Sequence, residues 1–473
     1  MVVVGAGPTG SAFALLLARA GVAVELVESQ PRHSALIRGD GLMPSGLEAL
    51  NRMGLDSLLA RLPRRELRGW SFLLEGSSLF SVAEPIGGSV PCSLIDTPAL
   101  LEGMLEEALV RPNLTLRRGG AVKDLLLEPE DTLPGSEGPA RVAGVVLDDG
   151  TQLPADLVVG CDGRGSTIRR LAGLELNEDN PPLEVLWFEL ENEAAAHLQP
   201  WIAGRFATLI GDAGSYALFG TARGGVRLGW LQERGAAGPP VPWPERWARS
   251  APPELAALWR SLPTTSVGPP LRLSVRSGLA PRWERPGLLL LGDAAHPMSP
   301  LRAQGLNMAL RDALVAAELL LPVLCGEGGG GGDGLPSTDA DLMGPGPLGS
   351  GQGDPHPAAA GLIGADPVGT GKAAPHPPPA PARAAEEPPQ RREFLQRLDQ
   401  ALVAIAEARL PEVRAVQALQ RQELGRGELL RRQAWLRHLL AATASVSGPL
   451  LSRRWQAGQP TLRTGLPLPE GPA

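Results

Sequence analysis

Three clusters of glycines and acids hold the residues of this chain best suited to chemistry. The first, Gly5-Ala6-Gly7-Pro8-Thr9-Gly10, lies between an apolar Val2–Val4 run and an Ala/Leu-rich stretch from Ser11 to Ala20. Glycines at this spacing suit a turn that offers helix N–H groups to a phosphate, because free donors and the helix dipole both favour an anion there. Gly5 permits the tight turn, Gly7 lets phosphates approach the backbone, and Gly10 permits close helix–strand packing, with Pro8 and Thr9 completing the turn. Glu28 comes after the next apolar run, Val22 to Val27, where a carboxylate can accept both hydroxyls of a ribose. The second cluster is Cys161-Asp162-Gly163-Arg164-Gly165-Ser166-Thr167-Ile168-Arg169. The third, Gly292-Asp293-Ala294-Ala295-His296-Pro297, comes after four consecutive leucines.

The elements that must position these residues can be read around them. Val2–Val4 and Val22–Val27 are expected strands, Ser11–Ala20 a helix closed by Gly21. The shortness of the first strand sets the expectation that the natural start lies upstream of Met1. Thr97-Pro98 reads as an N-cap and a first-turn proline, opening a helix with Leu100, Leu101, Met104, Leu105, Ala108 and Leu109 on one face. Val142–Leu147, a turn at Asp149-Gly150 and Asp156–Val159 lead as strands into the second cluster. Leu288–Leu291 reads as a buried strand before the third, and a helix runs on from Leu306.

Taken together and in this order, the clusters resemble the FAD-dependent monooxygenases of the p-hydroxybenzoate hydroxylase (aromatic-ring hydroxylase) family. The resemblance covers residues 1–325 well and the last helices loosely. It implies an α/β fold: a Rossmann-like FAD-binding domain of the glutathione-reductase type, a sheet-rich substrate domain and C-terminal helices. It implies that Asp293 accepts a ribityl hydroxyl. The continuation from Pro297 through Pro300 to Met308 would run under the flavin, with backbone N–H groups of Gly305, Leu306 and Asn307 at the pyrimidine edge. Asp162, more than Arg169, would link FAD and NAD(P)H binding, and Arg38 would lie beside the FAD phosphates or ribityl chain, where a planar fork suits phosphate. Relatives often carry glycine at Ala303, and the glutamine they often have near the helix at Pro98 is absent here.

The implied chemistry is the cofactor's. FAD is reduced by NADPH or NADH, takes up dioxygen as a C4a-hydroperoxide, and transfers one oxygen atom to a hydrophobic, aromatic or polycyclic small molecule. No obligatory catalytic side chain of the protein is expected. Tyr216 is the chain's one tyrosine, which excludes a two-tyrosine relay for phenol deprotonation; it reads as a sheet packing residue. His296 reads equally as a flavin neighbour or a structural donor to backbone carbonyls. Alternative readings are a flavin-dependent dehydrogenase or reductase on the same fold, or a non-catalytic flavin-binding redox sensor.

Composition narrows the field further. A net charge of -7 argues against nucleic acid as a partner. Three widely spaced cysteines suggest a reducing compartment and a cytoplasmic enzyme, and no histidine lies at metal-ligand spacing, so no metal site is expected. No apolar run is long enough for an integral membrane segment. Seven of the ten tryptophans lie between Trp187 and Trp283; most are expected in the core, although they could also line a large apolar pocket. The expected plan gives 1–68, 96–174 and 276–325 to the FAD-binding domain and 69–95 and 175–275 to the substrate domain. A disordered Gly/Pro/Ala-rich insertion is expected over 326–391, helices over 392–456 and a tail over 457–473. Within the helices, Phe394–Arg409 and Glu428–Ala442 show helical patterns. The latter is basic and amphipathic; packing on its own protein is the preferred reading, with a weak membrane or partner contact through 428–442 as the alternative.

Overall fold

Val2–Val4 is a central strand because valines buried on both faces suit parallel pairing. The structure, a computed structural model, describes residues 1–32, 40–88, 90–128, 140–236, 241–326 and 388–468. The six-stranded sheet runs Glu284–Arg285, Leu288–Leu290, Val158–Gly160, Val2–Val4, Val24–Glu28, Leu114–Arg118. All neighbours are parallel except the first pair. Register sets where the glycine clusters emerge. Val4 lies opposite Gly160 and Val27, and Gly160 opposite Leu290. The residues after these strands therefore leave the sheet side by side at one carboxyl edge, where open parallel sheets bind ligands. All three clusters and Glu28 meet there.

The mixed α/β class expected from the sequence is the one observed. A second, seven-stranded sheet takes Gly69–Leu74 and Ser77–Ala83 from early in the chain and the rest from 183–274. Side chains alternate across it. Phe188, Tyr216, Trp230, Trp247 and Trp259 form a core on one side. Trp70, Trp187, Phe206 and Phe219 line a cavity on the other. Most of the tryptophans are thus core, as preferred. The Tyr216 hydroxyl donates to the Trp247 carbonyl at 3.2 Å, and burial pushes its ionisation well above the ordinary range.

Three local expectations need correction. The cap of helix Thr97–Leu109 is Asp96, whose Oδ1 accepts from Ala99 N at 3.1 Å; the better-placed carboxylate takes the role from Thr97. Phe394–Arg409 is part of one helix, Pro389–Arg432, of 44 residues. It runs through Pro411 because its buried face, Leu398, Leu402, Ile405, Val413 and Val416, continues on both sides of the proline. Glu428–Ala442 is two helices, broken at Gln433 (φ -104°, ψ 87°) before Ala434–Ala442. The segment 327–387, most of the expected insertion, lies outside the described residues.

A buried chain of charges joins the long helix to the helix Gln304–Cys325. His296 Nε2 donates to Asp312 Oδ2 at 2.5 Å, and Arg409 Nε donates to Asp312 Oδ1 at 2.7 Å. Arg409 also pairs with Glu412, which receives Arg311 at 2.9 Å. His296 is therefore structural, but its partner is a carboxylate, not a backbone carbonyl. Burial alone would raise Asp312; His296 and Arg409 instead hold its carboxyl down to about 2. A depressed carboxyl contributes stability above its unfolded pKa and loses it as pH falls through the folded value. Asp312→Asn is expected to cost about 3–5 kcal/mol in urea unfolding at neutral pH, because it leaves Arg409 uncompensated. The deficit relative to wild type should shrink as pH falls from about 4 towards 2.

Candidate active site

The two sheets enclose a cavity of about 550 Å³. Its polar end is built from the first cluster. Gly7 caps helix Pro8–Arg19, Pro8 takes its first position, and no acid occupies the first turn. A Cβ added at Gly10 would overlap the carbonyl oxygen of Gly5, and one at Gly5 (φ +98°) would overlap that of Cys161. At Gly7 it would meet no protein atom within 4 Å. Two glycines let backbones cross, and the third leaves open space beside the helix N-terminus. Glu28 is held in place by the same turn: Oε2 accepts from Ala6 N and Oε1 from Gln30 N, both at 2.8 Å.

The third cluster sits directly on the first. A Cβ on Gly292 (φ +60°) would collide with Thr9 Oγ1. Asp293 lines the cavity and accepts from Arg164 Nε at 3.1 Å. Arg164 was not singled out from the sequence; Arg169, also of the second cluster, donates to Ala294 O at 2.6 Å and ties the two clusters together. Arg164 Nη1 is buried without a partner among the described residues, so the cavity wall keeps a free cationic donor. Asp162 also borders the cavity, but its oxygens are taken by Ser166 Oγ at 2.5 Å, Thr167 N at 2.7 Å and Ile168 N at 3.0 Å. It receives the first two backbone N–H groups of the short helix Thr167–Leu171, whose N-cap is Ser166.

Pro300, Gly305 and Leu306 line the cavity, while Asn307 lies behind it. The Asn307 Oδ1 accepts from Met43 N at 2.8 Å, and Nδ2 donates to Gly41 O at 3.1 Å and Ala303 O at 2.8 Å. Asn307 thus positions the loop. That loop carries two consecutive left-handed residues, Arg302 (φ 63°) and Ala303 (φ 48°), each costing about 1–2 kcal/mol for a non-glycine residue. Arg302 is gripped in return. It donates to Glu423 at 2.6 and 3.0 Å, and its guanidinium lies 4.6 Å from the Trp455 ring and 5.1 Å from that of Trp70. Arg38 lies outside the described residues.

The opposite end is apolar, walled by Met43, Trp70, Cys92, Leu94, Trp187, Phe206, Phe219 and Leu273. Burial pushes the Cys92 thiol up to about 12, so it lines the wall as an apolar group. A buried carboxylate, Asp40, borders the same cavity. It pairs with buried Arg227, which also reaches Glu189 at 2.9 Å. The Asp40 Oδ1 is buried without a partner among the described residues. Burial holds its carboxyl above the ordinary range despite Arg227. Nothing in its sequence context marked it; its role depends on a strand, Val226–Glu233, nearly two hundred residues away.

Among the described residues, Glu75, Asp212 and His438 come close enough to hold a cation together, but the Arg437 guanidinium pairs with both carboxylates.

Residues 1–332 match the family described as the FAD binding domain. The chain belongs to this family. It is similar to 6-methylpretetramide 4-monooxygenase of Streptomyces rimosus, 35% identical over 342 residues, 68% of this chain and 74% of the relative. It is also similar to protoasukamycin 4-monooxygenase of Streptomyces nodosus subsp. asukaensis, 30% identical over 67% of this chain and 78% of the relative. The fold matches Pseudomonas aeruginosa PqsL in complex with 2-aminobenzoylacetate, with a TM-score of 0.65 at 18% identity over 93% of this chain and 98% of that one. The resemblance read from the three clusters therefore holds. The cavity of this FAD-binding family member is lined by residues that fit the cofactor: an open glycine at an acid-free helix N-terminus, a backbone-held carboxylate at Glu28 and an unpartnered guanidinium nitrogen at Arg164.

Two alanine substitutions separate fold from cofactor. Gly10→Ala is expected to cost about 1–3 kcal/mol of apoprotein stability through overpacking and to lose bound flavin as well. Gly7→Ala should leave apoprotein melting unchanged yet weaken FAD retention, read as flavin absorbance per protein after gel filtration. Equal apoprotein melting shifts in both variants would contradict this.

Proposed function

We propose that the protein is a monooxygenase that hydroxylates a bulky hydrophobic phenol, aromatic or polycyclic, using FAD, NAD(P)H and dioxygen, and that it works in the cytoplasm. The observation that carries the reading is one continuous cavity with a glycine-rich end and an aromatic end. The names of the relatives from Streptomyces support it, since both are 4-monooxygenases. The activated oxygen comes from reduced FAD, with NAD(P)H as electron source. Gly5, Gly7, Pro8, Thr9 and Gly10 would seat the diphosphate and Glu28 the adenosine ribose. Asp293 with Arg164 would hold the ribityl chain, helped by Arg38. Gly292 keeps the third cluster close to Thr9, and Pro300, Gly305 and Leu306 would border the flavin ring, with Asn307 holding their loop. Asp162 serves by shaping the second cluster.

The apolar end excludes water and orients a flat ring by stacking. Proton transfer falls to Asp40. Its unpartnered Oδ1 accepts the proton of the substrate hydroxyl, and Arg227 fixes the carboxylate plane. Because the carboxyl is raised, its ionised fraction and kcat/KM fall as pH drops through that raised value. Asp40→Asn is expected to lower phenol hydroxylation by about 10²–10⁴-fold and to abolish this acidic limb, with FAD content unchanged. A variant that keeps the wild-type pH profile would remove Asp40 from the reaction.

The overall reading is tested with isotopically labelled dioxygen and a panel of polycyclic phenols. One labelled atom should enter the product for each NAD(P)H consumed. Product oxidised without label would replace the monooxygenase with a dehydrogenase.

A further inference from the structure

Helices Ala434–Ala442 and Ala444–Ala457 are apolar on two sides. Their inner side packs on the edge of the seven-stranded sheet: Leu440, Ala444 and Leu451 pack against Leu74, Leu79 and Ile210. Gly448 lies so close that a Cβ would overlap the carbonyl oxygen of Leu79. Arg437 pins the first helix through Glu75 and Asp212. The pair is therefore docked, as the self-packing reading expected.

The outer side is also apolar. Trp435 is 65% exposed and Leu439, one turn on, 51%; in the next helix Val446 is 71% and Leu450 65% exposed. Exposed Arg453 and Arg454 continue the face of Val446 and Leu450 at helical spacing. From 429 to 469 the chain contains six arginines and no Asp or Glu, although its net charge is -7. Exposed tryptophan and aliphatic side chains edged by arginines, in a segment with no Asp or Glu of its own, match an anionic lipid surface; the neighbouring Glu75 and Asp212 are paired with Arg437. No described helix is long and apolar enough to cross a membrane, so the contact would lie in the interface.

We propose that the outer face of Ala434–Ala457, led by Trp435, Leu439, Val446 and Leu450 and edged by Arg453 and Arg454, docks the protein on the surface of an anionic bilayer. The last turn of the same helix carries Trp455, which touches Arg302 of the cavity wall. Leu450 and Trp455 are five residues apart, about 8 Å along a helix axis. The docking face and the cavity wall are therefore consecutive parts of one element, and a hydrophobic substrate dissolved in the bilayer would be concentrated beside the cavity.

The test uses the FAD-loaded full chain and co-sedimentation with phosphatidylcholine vesicles, with or without phosphatidylglycerol, at low salt. Wild type should pellet with phosphatidylglycerol vesicles roughly tenfold more than with phosphatidylcholine alone. W435S/L439S/V446S/L450S should stay in the supernatant with FAD content and circular dichroism unchanged. R453Q/R454Q should lose the preference for anionic lipid. Wild type remaining in the supernatant with both vesicles overturns the proposal, as does equal pelleting by the four-serine variant. A dimer in gel filtration that the four-serine variant abolishes, without vesicle binding, assigns the face to a second copy and also overturns it.

Discussion

Three turns from distant parts of the chain pack together where glycines leave no room for a Cβ, and the cavity exists only because they do. Gly5 lies against Cys161, Gly10 against Gly5, and Gly292 against Thr9. Each contact tolerates hydrogen where any other residue carries carbon. The strand register enforces the meeting, since Val4, Gly160 and Leu290 end level with one another. Helix donors, the Glu28 carboxylate and the Asp293–Arg164 pair are then brought to one wall, with Arg164 and Arg169 bridging the second cluster to the third.

Holding that wall has a conformational cost, and the C-terminal helices offset it. Arg302 and Ala303 are both left-handed, which side chains resist. Arg302 is retained by Glu423 of the long helix and by the Trp455 and Trp70 rings, so one sheet and two helices agree on one loop conformation. Behind the loop, the His296–Asp312–Arg409–Glu412 chain is fully buried. Buried ion pairs of this kind add little net stability over apolar packing, but breaking one partner is severe. Their geometry favours a single register between the helix Gln304–Cys325 and the long helix.

Much of the polar end was legible in the sequence, because glycine roles derive from local spacing: a turn, an open approach and a close crossing occur at fixed offsets. Trp283, Trp247 and Trp259 were legible as core for a similar reason, being large apolar groups in sheet- and helix-forming stretches. What escaped depends on long-range pairing. Arg164 stood inside the second cluster, yet only the fold shows its guanidinium on Asp293, 129 positions later. Asn307 looked like a backbone donor, while its amide is spent on Gly41, Met43 and Ala303. The Pro389–Arg432 helix was read only as the patterns Phe394–Arg409 and Glu428–Ala442, because the continuation of its buried face past Pro411 is shown by packing and not by local spacing.

The chain's only tyrosine is consumed in the core, where its hydroxyl bonds Trp247 and Trp259. The aromatic end of the cavity therefore has no phenol to relay a proton. What it has is a carboxylate that the fold keeps at some expense. An oxygen buried without a hydrogen-bond partner costs about 1–3 kcal/mol, and among the described residues Arg227 satisfies only one of the two in Asp40. An apolar residue at position 40 would leave Arg227 with Glu189 alone and remove the unsatisfied atom. Local violations of this kind tend to persist where function needs them. Asp40 borders the cavity, so a substrate hydroxyl would supply the missing partner, and binding itself would relieve the penalty that Oδ1 otherwise carries.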